Sequence, residues 1–449
     1  MRTSQTEGSM RRTPRLFPNE DATNGWSRIL PPRAPSPALK GDIKADWLVI
    51  GAGFAGLSAA RRLAENRPGE RIVLVDAHEV GEGASGRNSG FAIDLPHNVG
   101  GEFGELSGSQ RYMRLSRAAI ASLEEIVTKR GIACNWRRVG KYHACSALLG
   151  RRKVLDPFAK ELDALGEPYR WVEGAALARE LGTAYFHSAL HTPGCVLVNP
   201  AALVRGLAAS MPPNVTLHER TRITALEDGA TVKATTPDGN ITAKGAILAV
   251  NGWARSFGVF KGRIVTLAGY GSLSRPLTED EHQSIGAVQD WGLTPANAFT
   301  GVTMRYTPDR RILVRHHFAY APQFTRPADE PARVRAGHER ILHERFPTLK
   351  SVNIEHSWRG FLCFSRNSAP GFGRVGSNLF AAVCQNGVGV TKGTIGGLLA
   401  ADLATGCDNP LIADMESLGT PNALPPGPFL DLSVRARLAL ENIRWRAER

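Results

Sequence analysis

Apolar positions along this chain switch between a period of two and a period near 3.6. Residues 45–76 read ADWLVIGAGFAGLSAARRLAENRPGERIVLVD. An apolar run from Trp47 to Ile50 enters Gly51-x-Gly53-x-x-Gly56, an alanine-rich helical pattern follows, and a second apolar run, Ile72 to Val75, ends at Asp76. The pattern predicts strand, turn, helix, strand. Residues 107–130 carry Leu115, Ile120, Leu123 and Ile126 at helical spacing among Arg, Glu and Lys. Strand and helix signals then alternate to about residue 190. NPAALVRGLAASM, from Asn199, predicts a helix with Pro200 in its first turn. VTLHE is a short strand. TRITALEDG and ATVKATTPDG alternate as antiparallel strands do, with Asp238-Gly239 as a hairpin turn. Ala246 to Val250 reads as a strand buried on both faces and ended by Asn251-Gly252. Residues 262–320 are strand-rich, RRILVRHHFAY among them, and 330–346 are helical. NLFAAVCQNGVGVTKGTIGGLLAADLATG gives a strand, a glycine-rich loop and a small-residue helix. The tail from Pro410 reads as surface-wrapping. No internal repeat appears.

The chain has 449 residues, too many for one simple core, so two packed domains are expected. Residues 1–40, rich in Arg, Pro, Ser and Thr, read as an extended or partly disordered arm. No apolar run reaches the length of a membrane span. Arg11-Arg12 has no apolar segment behind it, so it does not read as an export signal, and a cytoplasmic protein is expected. The net charge of +13 allows a solvated basic surface, an anionic cofactor or substrate, or nucleic acid. The 7% aromatic content and the lack of a recognisable module speak against nucleic acid. Six cysteines without a CxxC pair give no metal-ligand spacing, and free buried thiols are expected.

The fingerprint carries chemistry. Gly51 permits a tight turn, Gly53 lets a pyrophosphate approach the backbone and the helix N-terminus, and Gly56 lets helix and strand pack closely. Asp76 stands where a carboxylate accepts hydrogen bonds from ribose hydroxyls.

Together with GASGRNSGF, NPAALVRGLA, GAILAVNGWA, WRGFLCFSRNSAPGFG and QNGVGVTKGTIGGLLAADLATG, this block resembles the FAD-dependent D-amino acid oxidase superfamily from about residue 41 to 430. Within it the chain is most similar to gamma-glutamylputrescine oxidases, sarcosine and glycine oxidases, and D-amino acid dehydrogenases. The resemblance implies an α/β fold. A discontinuous Rossmann-like FAD-binding domain (41–100, 195–258 and 362–430) would carry an inserted α+β substrate domain (101–194 and 259–361) built on a mixed or antiparallel sheet, with 431–449 as a tail. It implies that Gly51, Ala52, Gly53, Phe54, Ala55 and Gly56 hold the pyrophosphate and that Asp76 and Ala77 hold the adenosine ribose. Ser85, Gly86, Arg87, Asn88 and Ser89 would run towards the flavin ring. Ile223 would meet adenine through its backbone, and Ala249, Asn251 and Trp253 would line the dinucleotide. Gly387, Val388, Gly389, Val390 and Thr391 would sit at the pyrimidine edge.

The implied reaction is hydride removal from an amine-bearing carbon of a small amine or amino acid, giving an imine that water hydrolyses to an aldehyde or keto acid. The acceptor is oxygen, or a quinone or partner protein. The alternative is an FAD-containing electron-transfer subunit of a larger complex. Lys392 either places a charge near the flavin C2 carbonyl or is a solvated helix-start lysine; the substrate-binding lysine of sarcosine-type oxidases aligns with Thr391 instead. His316 and His317 stand where relatives usually carry Gly-Gly; strand alternation lets only one of them point at the pocket, so either one faces the substrate or the two are a hydrogen-bonded structural pair. Arg359, in the family's W-x-G segment, either meets a substrate anion or makes a structural ion pair. Cys363 lies near the position of the flavin-tethering cysteine of some sarcosine oxidases and is otherwise a packing residue, with FAD then noncovalent. Basic charge hints at an acidic substrate.

Overall fold

The computed structural model describes residues 10–18, 21, 23–96, 106–327 and 329–448. Two large sheets organise them. The first has six strands in the order Val215–His218, Ile72–Val75, Trp47–Ile50, Gly245–Leu248, Leu379–Val383 and Gly371–Arg374. All neighbours are parallel except the last pair. The central strands are continuous apolar runs because helices and a further layer cover both their faces; Leu48, Val49, Leu74 and Ile247 are fully buried. Helix Phe54–Asn66 follows the first strand and lies against helix Gly389–Thr405. Arg62 donates to the buried Asp402 across that contact at 2.6 Å. Asn199 caps helix Pro200–Ala209 by accepting from the Ala202 N–H, with Pro200 at the first helical position.

The second sheet has eight strands, ordered Ile354–Ser365, Ile264–Ser274, Ile312–Tyr320, Thr303–Tyr306, Trp291–Pro295, Lys141–Cys145, Ser188–Thr192 and Arg170–Glu173. It is antiparallel except where Trp291–Pro295 meets Lys141–Cys145. Helix Glu330–Arg345 packs on one face, through contacts such as His338 with Ser272. The other face looks at the six-stranded sheet's carboxyl ends, where Trp358 donates to the Arg87 carbonyl at 2.9 Å. A five-stranded sheet completes the layers.

Two expectations are corrected, and two expected domain boundaries fall inside continuous elements. Part of the N-terminal arm is folded: Met10–Arg12 pairs with Ala225–Asp228, and Trp26 and Leu39 are buried. Residues 1–9, 19, 20 and 22 lie outside the described residues. The hairpin turn falls on Pro237-Asp238, one residue early, because Thr236 pairs with Gly239. Strand Ile354–Ser365 runs straight through the boundary expected at 361/362. The tail contains two helices, Leu411–Ser417 and Gly427–Arg444, and the second crosses the boundary expected at 430/431.

Candidate active site

A cavity of about 460 Å³ runs from the carboxyl ends of the parallel strands to the inner face of the eight-stranded sheet. At its narrow end Gly51 turns with φ +103°, and a Cβ on Gly56 would sit 1.6 Å from the Gly51 carbonyl oxygen. Strand and helix therefore touch through backbone, and the helix N-terminus opens on the cavity. Neither Gly53 nor Val388, the residues before the two long helices, supplies a side-chain cap. The Phe54 N–H donates instead to Ser85 Oγ at 3.0 Å, and the positive ends of the two helices suit an anionic ligand. Asp76 accepts from the Ala52 N–H at 2.6 Å and the His78 N–H at 2.8 Å, and burial pushes its pKa up.

Of the residues that the resemblance assigns to FAD, all but Gly56, Gly86 and Thr391 border this cavity. Gly56 and Gly86 serve packing. Thr391 is fully buried two residues into its helix, turned away from the edge that Gly387–Val390 present. The residues present fit an extended dinucleotide.

The loop 81–90 is held from several sides. Asn24 donates to the carbonyls of Gly81 and Gly86 at 2.8 and 3.1 Å. Trp26 donates to the Asn88 carbonyl at 2.8 Å. Arg305 donates to the carbonyls of Ser89 and Val198 at 2.9 and 2.7 Å. Arg87 spans Asp21, the Glu82 carbonyl and the Arg359 carbonyl. Sequence reasoning missed Asn24, Trp26 and Arg305; an Asn-Gly-Trp triplet at 24–26 in a polar arm was the available signal.

The expected catalytic side chains are placed differently. Neither histidine lines the cavity. A β-bulge opposite Gly269/Tyr270 inserts His317 at φ +69°, so Gly269 pairs with Phe318 and Tyr270 with His316. Plain alternation from Leu313 and Arg315 brings 317 to the inner face; the bulge brings Phe318 there instead. His317 is solvent-exposed. His316 lies at hydrogen-bond distance, 3.1 Å, from the Thr300 carbonyl, and burial pushes its pKa down to about 3. Lys392 also leaves the cavity. Its Nζ lies 4.9 Å from the Tyr112 ring centre in a separate small pocket, and burial pushes its pKa down to about 8. Arg359 borders the cavity and makes no ion pair among the described residues. Its register partner is Tyr270, which places its side chain on the helix-covered face with His316. Its guanidinium lies 5.4 Å from the Phe361 ring centre. Cys363 is buried, donates to Asn251 Oδ1 at 3.0 Å, and has its pKa raised by burial. Such a thiol is a poor nucleophile.

Arg315 occupies the inner face. It pairs across the sheet with Gly271 and Thr303, in the row that continues to Trp358. It donates to the Ala298 carbonyl at 2.9 Å and Thr303 Oγ1 at 2.7 Å. No carboxylate pairs with it among the described residues, and burial pushes its pKa down to about 10.

Among the described residues no helix is long and apolar enough to cross a membrane, and no side-chain cluster suits a metal ion. The sequence pattern of the DAO family (FAD dependent oxidoreductase) matches residues 46–403. A probable oxidoreductase OrdL of Rhizobium meliloti is 27% identical over 397 residues, 85% of this chain and 88% of the relative. Gamma-glutamylputrescine oxidoreductase of Escherichia coli is 25% identical over 385 residues, covering 83% and 86%. The crystal structure of glycine oxidase from Geobacillus kaustophilus superposes with a TM-score of 0.69 at 19% identity, covering 85% of this chain and all of that one. With its fingerprint glycines on that scaffold, the chain belongs to the DAO family of FAD-dependent oxidoreductases.

Proposed function

We propose that this enzyme oxidises the C–N bond of a small amine or amino acid that also carries an anionic group, with FAD held noncovalently. Arg315 carries the proposal. It is a half-buried guanidinium at the cavity wall with only neutral protein acceptors, and a cation so placed is best satisfied when an anion reaches it. Gamma-glutamylputrescine oxidoreductase and glycine oxidase, by their names, act on substrates of this class.

Bound FAD supplies the acceptor for the hydride. The chain's own residues do the rest. Gly51–Ala55, Ser85 and Arg87–Ser89 border the path of the pyrophosphate, and the amides at the start of helix Gly389–Thr405 point positive dipole towards the cavity. Arg315 fixes the substrate's anionic end, so that the amine-bearing carbon is held at one distance from the cofactor path. Thr294, Thr303 and Phe318 form its surroundings. None of these is a base, so the amine enters in its free form and the imine product meets water on release. The buried, protonated Cys363 favours noncovalent FAD.

The test is steady-state kinetics with amine pairs that differ only by a carboxylate or its neutral amide. The carboxylates are expected to be the better substrates, and Arg315→Met is expected to erase the difference. Equal turnover of both members by the unaltered enzyme contradicts the reading. Peroxide formed in step with turnover identifies oxygen as the acceptor.

A further inference from the structure

The helix Gly427–Arg444 has two apolar faces. The inner one carries Val434 and Leu438, which pack on the cluster of Leu267, Tyr320 and Phe364, and leads to the buried Trp445. The outer one carries Phe429, Leu432, Leu440 and Ile443, between 63% and 74% exposed, with the exposed Ala436 among them. At about 100° of turn per residue these five fall within one narrow arc, opposite the inner face. A surface helix that only docks to its own protein needs one such stripe.

The charges around the outer stripe are ordered. Arg435 and Arg446 flank it on one side, Arg444 and Arg437 on the other, all four exposed, with Arg437 also paired to Glu441 at 2.9 Å. The helix's acids are turned inward. Asp431 accepts from the Tyr320 hydroxyl at 2.7 Å, and Glu441 from Asn297 Nδ2 at 3.1 Å. Glu448, just beyond, accepts from the N–H groups of Ser146 and Gly150 at 2.8 and 2.7 Å. An apolar ridge between two rows of arginine is the pattern of a helix lying in a membrane interface, with the ridge among acyl chains and the guanidiniums on phosphates. A second copy of the chain fits poorly. Symmetric pairing of the stripes would set arginine rows against arginine rows with no acid between them.

We propose that the outer face of helix Gly427–Arg444 docks peripherally on an anionic lipid bilayer. The contact needs no spanning segment and is independent of the redox reading. The chain's charge of +13 adds a long-range attraction to such a surface.

The experiment is sedimentation of the full-length, FAD-loaded protein with vesicles. One set contains equal parts phosphatidylglycerol and phosphatidylcholine, the other phosphatidylcholine alone. The protein is expected to sediment with the anionic set and to be released as salt is raised. Replacing Phe429→Ser, Leu440→Ser and Ile443→Ser together is expected to weaken binding about tenfold or more, with flavin content and thermal unfolding unchanged because those side chains touch solvent. Arg435→Gln, Arg444→Gln and Arg446→Gln together are expected to remove the preference for the anionic set. No binding to anionic vesicles overturns the proposal, as does full binding by the triple serine variant. Sedimentation velocity showing a dimer that the serine variant loses also overturns it and assigns the stripe to a second copy.

Discussion

Arg315 stands at the centre of the account because a guanidinium is costly to keep from water without an anion. Arg315→Met is predicted to lower kcat/KM for an acidic amine by about 30-fold or more, close to 2 kcal/mol, while FAD stays bound. Steady-state kinetics and the flavin spectrum of the variant check both halves. Gly56 gives the opposite kind of prediction. A methyl group there meets the Gly51 carbonyl at 1.6 Å, so Gly56→Ala is predicted to cost about 3 kcal/mol or more and to yield protein without FAD, read by thermal unfolding and cofactor content. Gly56 was legible in the sequence, because its spacing to Gly51 and Gly53 encodes the packing directly. Arg315 was not. It sits beside His316 and His317, whose departure from Gly-Gly drew the attention, and its facing depends on a strand register that no local pattern states.

The bulge at His317 shows how one inserted residue changes a strand's facing. Period-two reading is sound up to Arg315 and fails beyond it, since a bulge has no apolar signature. The same strand and the helix Glu330–Arg345 packed on it carry a pH device. His316 and His338 have pKa values pushed down by burial to about 3 and about 4, against about 6.5 in an unfolded chain. The unfolded state binds protons that the native state refuses. Stability is therefore predicted to fall as pH drops below about 6.5, by about 1.4 kcal/mol per pH unit from His338 until its native pKa is reached, with His316 adding the same sign. Denaturant unfolding between pH 7 and pH 5, repeated on His338→Gln, checks the slope. Helix Gly427–Arg444 escaped sequence reading for a related reason. Two opposed apolar stripes separated by arginines blur the single periodicity by which a surface helix is recognised, and the Pro-Pro-Gly-Pro entry reads as loop.

At the scale of the molecule, the parallel sheet was legible because buried strands are continuous apolar runs between glycine turns. The larger sheet was visible only as strand-rich stretches, since its order joins segments as distant as Ile354–Ser365 and Arg170–Glu173. The arm was misread because its polarity hides a few anchoring residues. Trp26 is 2% exposed and ties residues before the first domain to the loop that borders the cofactor path. Trp26→Ala is predicted to destabilise the protein by about 3–5 kcal/mol and to loosen FAD, measured by melting and by flavin released on dialysis. The central claim joins both sheets: cofactor on one, substrate anchor on the other. Anaerobic addition of an amine bearing a carboxylate to the purified yellow protein tests it most directly. The account predicts that the flavin absorption bleaches faster with the carboxylate-bearing amine than with its neutral amide, and slowly and at similar rates with both in Arg315→Met. Flavin absorption that no amine bleaches, or that both members of the pair bleach at equal rates in the unaltered protein, contradicts it.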